Sequence, residues 1–255
     1  MIRISFLRPI DQFDGTRRLL EELKTCLQSD HFNMLHISVA FAKSGPLLRL
    51  LPLLTLWKGK GKTIEAIIGI DLLGTSKQAL EFALQNFDKV YILHSETHAT
   101  FHPKFYLFSG AHHAICYHGS HNLTVGGTET NLEGGTKIEF DRPADEASYQ
   151  EALDSWTSLL PDVCAMSQPL DAALIQGLFN DALIFDENVA RPKQPTEDPW
   201  AWQAMSVTVA IHSCQGRFQL GGSSYPTLHK EREGWGTLID VMRKIGRTVA
   251  DGSSS

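Results

Sequence analysis

Short apolar runs alternate with amphipathic segments along the first part of the chain. Met34–Phe41, Thr63–Ile70 and Lys89–Leu93 have the length and composition of buried strands. Between the first two, Ser44 followed by Gly45 and Pro46 predicts the start of a helix, because proline suits the first turn. A second helix is predicted over Ser76–Phe87. This alternation of strand and helix predicts βαβ crossovers and therefore a mainly parallel sheet.

Further elements are predicted on either side of this core. A first strand at Ile2–Leu7 precedes a helix that Asp14 caps and that runs through Leu27, with leucines at helical spacing. The later elements are strands at Phe101–Phe108, His112–His118 and Thr136–Phe140 and helices at Ala144–Leu160 and Leu170–Leu183. The predicted fold class is α/β, with a mixed, mainly parallel β-sheet flanked by helices on both faces.

A change of composition near residue 188 predicts a domain boundary. Asn188–Pro199 is polar and rich in proline, which is typical of a linker. We therefore expect one sizeable domain at 1–187, a linker at 188–203, and a small C-terminal α+β region of unknown role at 204–255.

Composition and charge restrict the classes of protein to which the chain could belong. The chain has 255 residues, 42% hydrophobic and 20% charged, which is typical of a soluble globular protein. No apolar run is long enough for a signal peptide or a membrane span, and four scattered cysteines fit reduced thiols, so a cytoplasmic location is expected. The net charge of −6 argues against a generally basic nucleic-acid binder but allows a local basic groove.

Candidate chemistry is concentrated between residues 101 and 135. His102 and Lys104 are two apart in a strand-like run, so both side chains would lie on one face of the strand. The following strand ends at Gly119, where Ser120 and Asn122 can present a hydroxyl and a carboxamide. Glu133 then offers a carboxylate that could hold one nitrogen of His102 and leave the other free to attack.

This arrangement resembles the HKD motif of the phospholipase D superfamily, in which His-x-Lys is followed by Gly-Ser-x-Asn and an acidic residue. The spacing from Asn122 to Glu133 is most similar to that of the metal-independent nucleases and restriction endonucleases that carry one motif per chain. The sequence departs from the motif at Ser109, where the family has an aspartate that is mostly a structural support.

The resemblance implies a mechanism. His102 would attack a phosphodiester to give a phosphohistidine, Lys104 and Asn122 would hold the non-bridging oxygens, and Ser120 would add a hydrogen bond. Glu133 would orient the imidazole. A homodimer would supply the second histidine, and no metal or other cofactor is required. The resemblance implies a nucleic-acid substrate, with DNA expected before RNA, and a role in restriction or phage defence. Further subunits of such a system are expected partners, and a membrane partner is not expected.

Three lysines near the end of the first long helix form a second candidate feature. Lys58, Lys60 and Lys62 lie in a glycine-loosened loop and are predicted either to be a solvated turn or to contact the phosphate backbone of the substrate.

Other interpretations remain open from the sequence. The same histidine could serve a phospholipid hydrolase or transphosphatidylase, or the chain could be an inactive member that binds nucleic acid or a partner protein. A zinc site on a helix through His94, His98 and His102 is a minor alternative, because the segment after Phe101 has strand character. Thr124, Gly126 and Gly127 have the composition of a phosphate-cradling turn, but we expect them to form the bend that begins a helix behind the site. DNA or RNA preference and sequence specificity do not follow from the sequence.

Overall fold

The computed structural model of the chain describes residues 1–95 and 99–189, which form one mixed sheet of eight strands with helices packed on it. The strand order is β1-β7-β6-β5-β2-β3-β4-β8. The strands are β1 (Arg3–Leu7), β2 (Met34–Val39), β3 (Thr63–Gly69), β4 (Lys89–Leu93), β5 (Lys104–Ser109), β6 (His113–Gly119), β7 (Gly135–Asp141) and β8 (Ser167–Pro169).

Six α-helices connect or cover these strands in the described part of the chain. They are α1 (Pro9–Asp14), α2 (Leu19–Gln28), α3 (Ser44–Gly59), α4 (Lys77–Asn86), α5 (Glu146–Thr157) and α6 (Ala172–Asn180). A 3-10 turn at Asp71–Leu73 follows β3, and a π-helical turn at Gly126–Thr130 precedes β7. The Ser76 hydroxyl accepts a hydrogen bond from the Ala79 amide at 3.2 Å and caps α4 at the predicted start.

The predicted α/β class is confirmed, but the prediction of a mainly parallel sheet is wrong. Only β2–β3 and β3–β4 pair in parallel, and the other five neighbouring pairs are antiparallel. The segment 94–103 is shorter than the dozen or so residues that a parallel crossover needs, so β5 returns antiparallel beside β2. β6 then follows β5 through the tight connection 110–112. The βαβ rhythm therefore ends at β4.

The two faces of the sheet bury separate apolar clusters. β5 shows the division, since Tyr106 and Phe108 pack in the cluster under α2, α3, α4 and α6, whereas Phe105 and Leu107 pack in the cluster under α5. This alternation is the period of two expected for a strand buried on both faces. Helices thus cover both faces, as predicted.

Two predicted boundaries differ from the structure. Asp14 ends α1 instead of capping the next helix, because the chain bends at Gly15, whose φ is +84°, and α2 begins at Leu19. β5 begins at Lys104, so His102 lies before the strand and not on it. The predicted linker and C-terminal region lie outside the described residues, apart from residues 188 and 189. None of the helices in the described ranges has the length and hydropathy needed to cross a bilayer.

Trp156 anchors α5 to the sheet and provides a test of this packing. Its ring is 2% exposed and its indole nitrogen donates to the Ile37 carbonyl at 3.0 Å. We expect Trp156→Ala to lower the free energy of unfolding by ~3–5 kcal/mol, through the lost apolar burial and the cavity left behind. The neighbouring exposed Ser155→Ala should change it by less than ~0.5 kcal/mol. Urea denaturation would measure both, and equal small effects would contradict the packing of α5 described above.

Candidate active site

Seven strand ends meet along one edge of the sheet. The registers place the carboxyl ends of β2, β3 and β4 beside the amino end of β5, since Val39 pairs with Lys104. The carboxyl end of β6 meets the amino end of β7 through Gly119 and Gly135, and β1 ends there at Leu7. This edge, called the site edge below, carries His102, Lys104, Ser120, Asn122 and Glu133.

His102 and Lys104 are in direct contact at the site edge. Lys104 Nζ lies 2.5 Å from His102 Nδ1 and donates to the His102 carbonyl oxygen at 2.8 Å. The Lys104 side chain is only 3% exposed, whereas His102 is exposed. Phe41 packs edge-on against the imidazole, with the ring centroids 5.8 Å apart. The predicted pairing of an imidazole with an ammonium is therefore present, although it results from the bend before β5 and not from a shared strand face.

Burial and proximity lower the pKa of both groups. Desolvation lowers the pKa of Lys104 to about 8, and the nearby charge of Glu133 opposes this shift. Desolvation and then the adjacent charge of Lys104 lower the pKa of His102 below its ordinary value. The imidazole is therefore neutral near pH 7, which a nucleophile requires, while a charged amine lies beside it.

Ser120 and Glu133 form a second contact in the loop that joins β6 to β7. The Ser120 hydroxyl donates to Glu133 Oε2 through a short hydrogen bond and accepts from the Gly134 amide at 3.1 Å. The other carboxylate oxygen of Glu133 accepts from Asn131 Nδ2 at 3.2 Å. Among the contacts of the described residues, none joins Glu133 to His102. The expectation that Glu133 holds the His102 ring directly is therefore not met, because its carboxylate is engaged by its own loop.

Asn122 fastens this loop to the end of β2. The side-chain oxygen of Asn122, Oδ1, accepts a hydrogen bond from the Phe41 amide at 3.1 Å. The Leu123 amide donates to the Phe41 backbone carbonyl at 3.0 Å. The carboxamide oxygen is therefore used in holding the loop, and the amide nitrogen remains as its donor group. Asn122 is half-buried, beside the same Phe41 that contacts His102.

Two glycines are required by close backbone approaches in this loop. A Cβ at Gly119 would collide with the Gly134 carbonyl oxygen, and a Cβ at Gly127 would collide with the backbone of Asn122. Gly127 lies in the π-helical turn, where its amide donates to the Thr124 hydroxyl at 3.0 Å. The Thr124–Gly127 segment thus begins a helical turn behind the site, as expected from its sequence.

The three predicted phosphate-binding lysines lie at the opposite end of the sheet. Lys58, Lys60 and Lys62 precede Thr63, which pairs with Met34 at the amino end of β2. Lys60 contacts Asp30 at 2.7 Å, Lys62 donates to the Ser29 carbonyl at 2.8 Å, and Lys58 lies 3.4 Å from Asp88. The structure therefore does not bring these lysines to the site edge, because α3 and the following turn return the chain to the far end of β3.

The structure also locates Ser109 and the histidines of the alternative zinc site. Ser109, which replaces the aspartate of the motif, is buried at the far end of β5. A hydrogen bond places His94 against Asp71, so His94 does not share a helix face with His102. His98 lies outside the described residues. No cluster of metal-binding side chains occurs within the described ranges.

Sequence reasoning missed two residues that contribute to the site edge. Asp71 follows β3, is buried, and accepts from the Phe101 amide at 2.8 Å, so it holds the residue before His102. A lone aspartate directly after a buried strand was the available signal. His121 is also buried, beneath Lys104, and burial lowers its pKa. A histidine inside a polar turn gave no sequence signal of burial.

Comparisons with known proteins find remote structural neighbours. No family profile and no curated protein matches the chain. NucT from Helicobacter pylori is 17% identical, with a TM-score of 0.42 over 61% of this chain and 98% of that chain. Nuc from Salmonella typhimurium, a phospholipase D family member, is 12% identical, with a TM-score of 0.45 over 68% of this chain and 100% of that chain.

Phosphatidylserine synthase from Haemophilus influenzae is 11% identical, with a TM-score of 0.45 over 83% of this chain and 46% of that chain. All three TM-scores are below 0.5, so these matches carry no argument about the superfamily of this chain. They are too remote to assign an activity, which has to rest on the geometry of the site.

The buried ammonium of Lys104 predicts a specific dependence of stability on pH. Its native pKa of about 8 lies below its unfolded value of about 10.4, so the native state binds fewer protons between these values. The free energy of unfolding of the wild type relative to Lys104→Met should therefore rise as the pH increases from about 8 to about 10.5. Urea denaturation at pH 7.5 and pH 10 would measure this difference.

The exposed Lys60→Met is the matched control, and its difference from the wild type should show no such rise. A pH-independent difference for Lys104→Met would contradict the desolvation of Lys104.

Proposed function

We propose that the protein is a metal-independent phosphodiesterase of the phospholipase D type that cleaves nucleic acid, most readily DNA, through a phosphohistidine at His102. The supporting observation is the contact between the exposed imidazole of His102 and the buried ammonium of Lys104. A neutral nucleophile beside a desolvated positive charge suits attack on an anionic phosphodiester. Surface packing or stability would not require an ammonium to be buried there.

The first chemical step places the Nε2 lone pair of His102 on phosphorus. In the observed contact the ammonium donates to Nδ1, so the ring proton lies on Nε2 and attack requires Lys104 to release Nδ1. A phosphate oxygen is a charged and therefore stronger acceptor, so a bound substrate would draw the ammonium away from the ring. The ring proton can then occupy Nδ1. The P–N bond forms as the bond from phosphorus to the leaving oxygen breaks.

Proton transfer to the leaving oxygen requires a second acid. His121 does not suit this role, because it is buried and its ring is not accessible to a substrate bound at the exposed His102. We assign the role to His102 of a second copy of the chain. The negative charge of the bound phosphodiester would favour the protonated form of this second imidazole, which could then protonate the leaving oxygen. In the second step water attacks phosphorus, the P–N bond breaks, and the same imidazole takes the proton from water. The proposed enzyme is thus a symmetric homodimer.

Exposed apolar side chains near the site edge favour such an association. Gln12 of α1 donates to the Gly127 carbonyl at 3.0 Å, which fixes α1 against the loop that carries Glu133. Ile10 and Phe13 on α1 and Leu132 beside Glu133 are all exposed. An apolar surface next to an incomplete site is typical of an interface between subunits.

The remaining residues would bind the substrate and hold the loop in place. Lys104 would neutralise the non-bridging oxygens as negative charge develops, assisted by the Asn122 amide nitrogen. Ser120 and Glu133 would fix the loop through their mutual hydrogen bond and supply the negative charge that keeps Lys104 protonated. The role in restriction or phage defence remains part of the proposal and follows from the sequence resemblance. The cytoplasmic location is also part of the proposal and follows from the composition of the chain.

The central experiment measures cleavage of supercoiled plasmid and of single-stranded oligonucleotides in excess EDTA. We expect the wild type to cut at least one of these substrates. His102→Ala should reduce the rate by at least ~10³-fold, because it removes the exposed imidazole that contacts Lys104 and would form the covalent intermediate. His118→Ala, at an exposed histidine of β6, is the matched control and should retain activity.

Cleavage that needs a divalent metal ion, or that persists in His102→Ala, would contradict the mechanism. If the wild type cuts no nucleic acid but releases headgroups from phospholipid vesicles in a His102-dependent manner, the phosphodiesterase chemistry would stand and the proposed substrate would be wrong. Binding of nucleic acid without cleavage would indicate an inactive member.

A further inference from the structure

A cavity of about 240 Å³ adjoins the segment that carries His102. It is bounded by the 3-10 turn after β3, by the residues that follow β4, and by Thr100 and Ala182. We call it the Asp71–His94 pocket and define it by Asp71, Leu72, Leu73, His94, Thr100 and Ala182. It lies at the carboxyl ends of the parallel strands β3 and β4, where ligands bind in many open α/β sheets.

An aspartate–histidine pair forms the polar part of the pocket. His94 Nδ1 donates to Asp71 Oδ1 at 2.7 Å, and the Ser95 amide donates to the same oxygen at 3.2 Å. Asp71 is buried, whereas His94 is half-buried. The pairing through Nδ1 fixes the tautomer and orientation of the ring and turns Nε2 away from Asp71, as a hydrogen-bonding group for a ligand. The mechanism proposed for His102 does not use Asp71 and His94 as reacting groups.

The apolar part of the pocket is held in a strained conformation. Leu72, Leu73 and Ala182 have φ angles of 57°, 53° and 56°, and within the described ranges they are the non-glycine residues with positive φ. All three line this one pocket. Leu72 is 75% exposed and Leu73 is 46% exposed, so burial of these side chains in the core does not compensate for the strain. Backbone strain that clusters in this way is characteristic of ligand-binding sites.

The pocket is connected to the nucleophile through Asp71. The second oxygen of this carboxylate, Oδ2, accepts from the Phe101 amide at 2.8 Å, and His102 is the next residue. Thr100, which lines the pocket, is two residues from His102, and two residues of chain span at most about 7 Å. A phosphodiester positioned at His102 would therefore have one of its flanking nucleosides within reach of the pocket.

We propose that the Asp71–His94 pocket binds the base of the nucleotide next to the scissile phosphodiester. The inference rests on the proposed nuclease function and specifies how the substrate is held. The leucine side chains offer an apolar surface for the face of a planar ring, and His94 Nε2 accepts a hydrogen bond from an amino or imino N–H at its edge. The volume lies below the ~300–1,000 Å³ of pockets for larger ligands and is sufficient for one base.

Because every base carries both a flat face and an N–H donor, the pocket would hold the strand with little preference among the four bases. It would also require that base to be unstacked from its neighbours, which is easiest in a single strand. The pocket therefore favours single-stranded over double-stranded substrate.

The intact substrate is a short single-stranded DNA with one phosphodiester between methylphosphonate linkages. Two abasic substrates lack the base on one side or on the other side of that phosphodiester. The enzymes are the full-length wild type, His94→Ala and Leu72→Gly, with Leu56→Ala on α3 as the control at an equally apolar residue that is 64% exposed. Glycine suits the left-handed φ of residue 72, so Leu72→Gly removes the side chain without adding backbone strain.

Removal of one of the two flanking bases should lower kcat/KM of the wild type about ten-fold, since contacts to one base contribute factors of this order. His94→Ala and Leu72→Gly should lose a similar factor on the intact substrate and show little further loss on the abasic one, because enzyme and substrate changes remove the same contact. Leu56→Ala should behave as the wild type on every substrate.

Equal cleavage of intact and abasic substrates by the wild type would overturn the inference while leaving the proposed function intact. The inference would also be overturned if His94→Ala and Leu72→Gly lowered kcat/KM, relative to the wild type, by the same factor on the intact and on the abasic substrates. That pattern would indicate a structural effect on His102. A wild type that cleaves no nucleic acid under any condition would overturn the proposed function and this inference together.

Discussion

The burial of one ammonium group determines the organisation of the site edge. Lys104 is the first residue of a strand that lies between two others and is buried on both faces, so its amine can reach solvent-exposed groups only at the end of the sheet. The cost of its desolvation appears in its lowered pKa, and the contacts that offset this cost are His102 and, at longer range, Glu133. A charge held in this way is preorganised toward an anionic ligand.

The loop between β6 and β7 depends on the same constraint. Glu133 can influence Lys104 only if the loop folds back across the end of β5, and this conformation is fixed by Ser120, by Asn122 on Phe41, and by glycines that permit close backbone contact. The loop therefore supports the electrostatics of the site, and among the described residues none of its side chains hydrogen-bonds to the His102 ring. Asp71 performs a comparable task on the other side, because it holds the residue before His102 and orients His94. The site edge is thus supported from β3 as well as from β6 and β7.

Local sequence patterns predicted most elements and the pairing of His102 with Lys104, because strand burial and helix starts depend on neighbours in the sequence. Strand direction was predicted wrongly after β4, since the rule of alternating strands and helices was extended to a connection too short for a crossover. Lys58, Lys60 and Lys62 were candidates for contact with the substrate, but their position at the far end of the sheet depends on topology, which the sequence does not show locally. The contact of Asp71 with the Phe101 amide joins residues that are distant in sequence. His121 is buried by elements that lie elsewhere in the sequence, so its burial could not be predicted from its neighbours. The roles assigned to the five motif residues remain predictions.

The most direct measurement of the central claim is mass spectrometry of the protein quenched at alkaline pH during turnover of a short DNA substrate. The account predicts a nucleotidyl adduct on the peptide that contains His102, formed in the presence of EDTA and absent from a Lys104→Met variant. Turnover without any adduct, or an adduct on another residue, would show that His102 is not the nucleophile and would contradict the account.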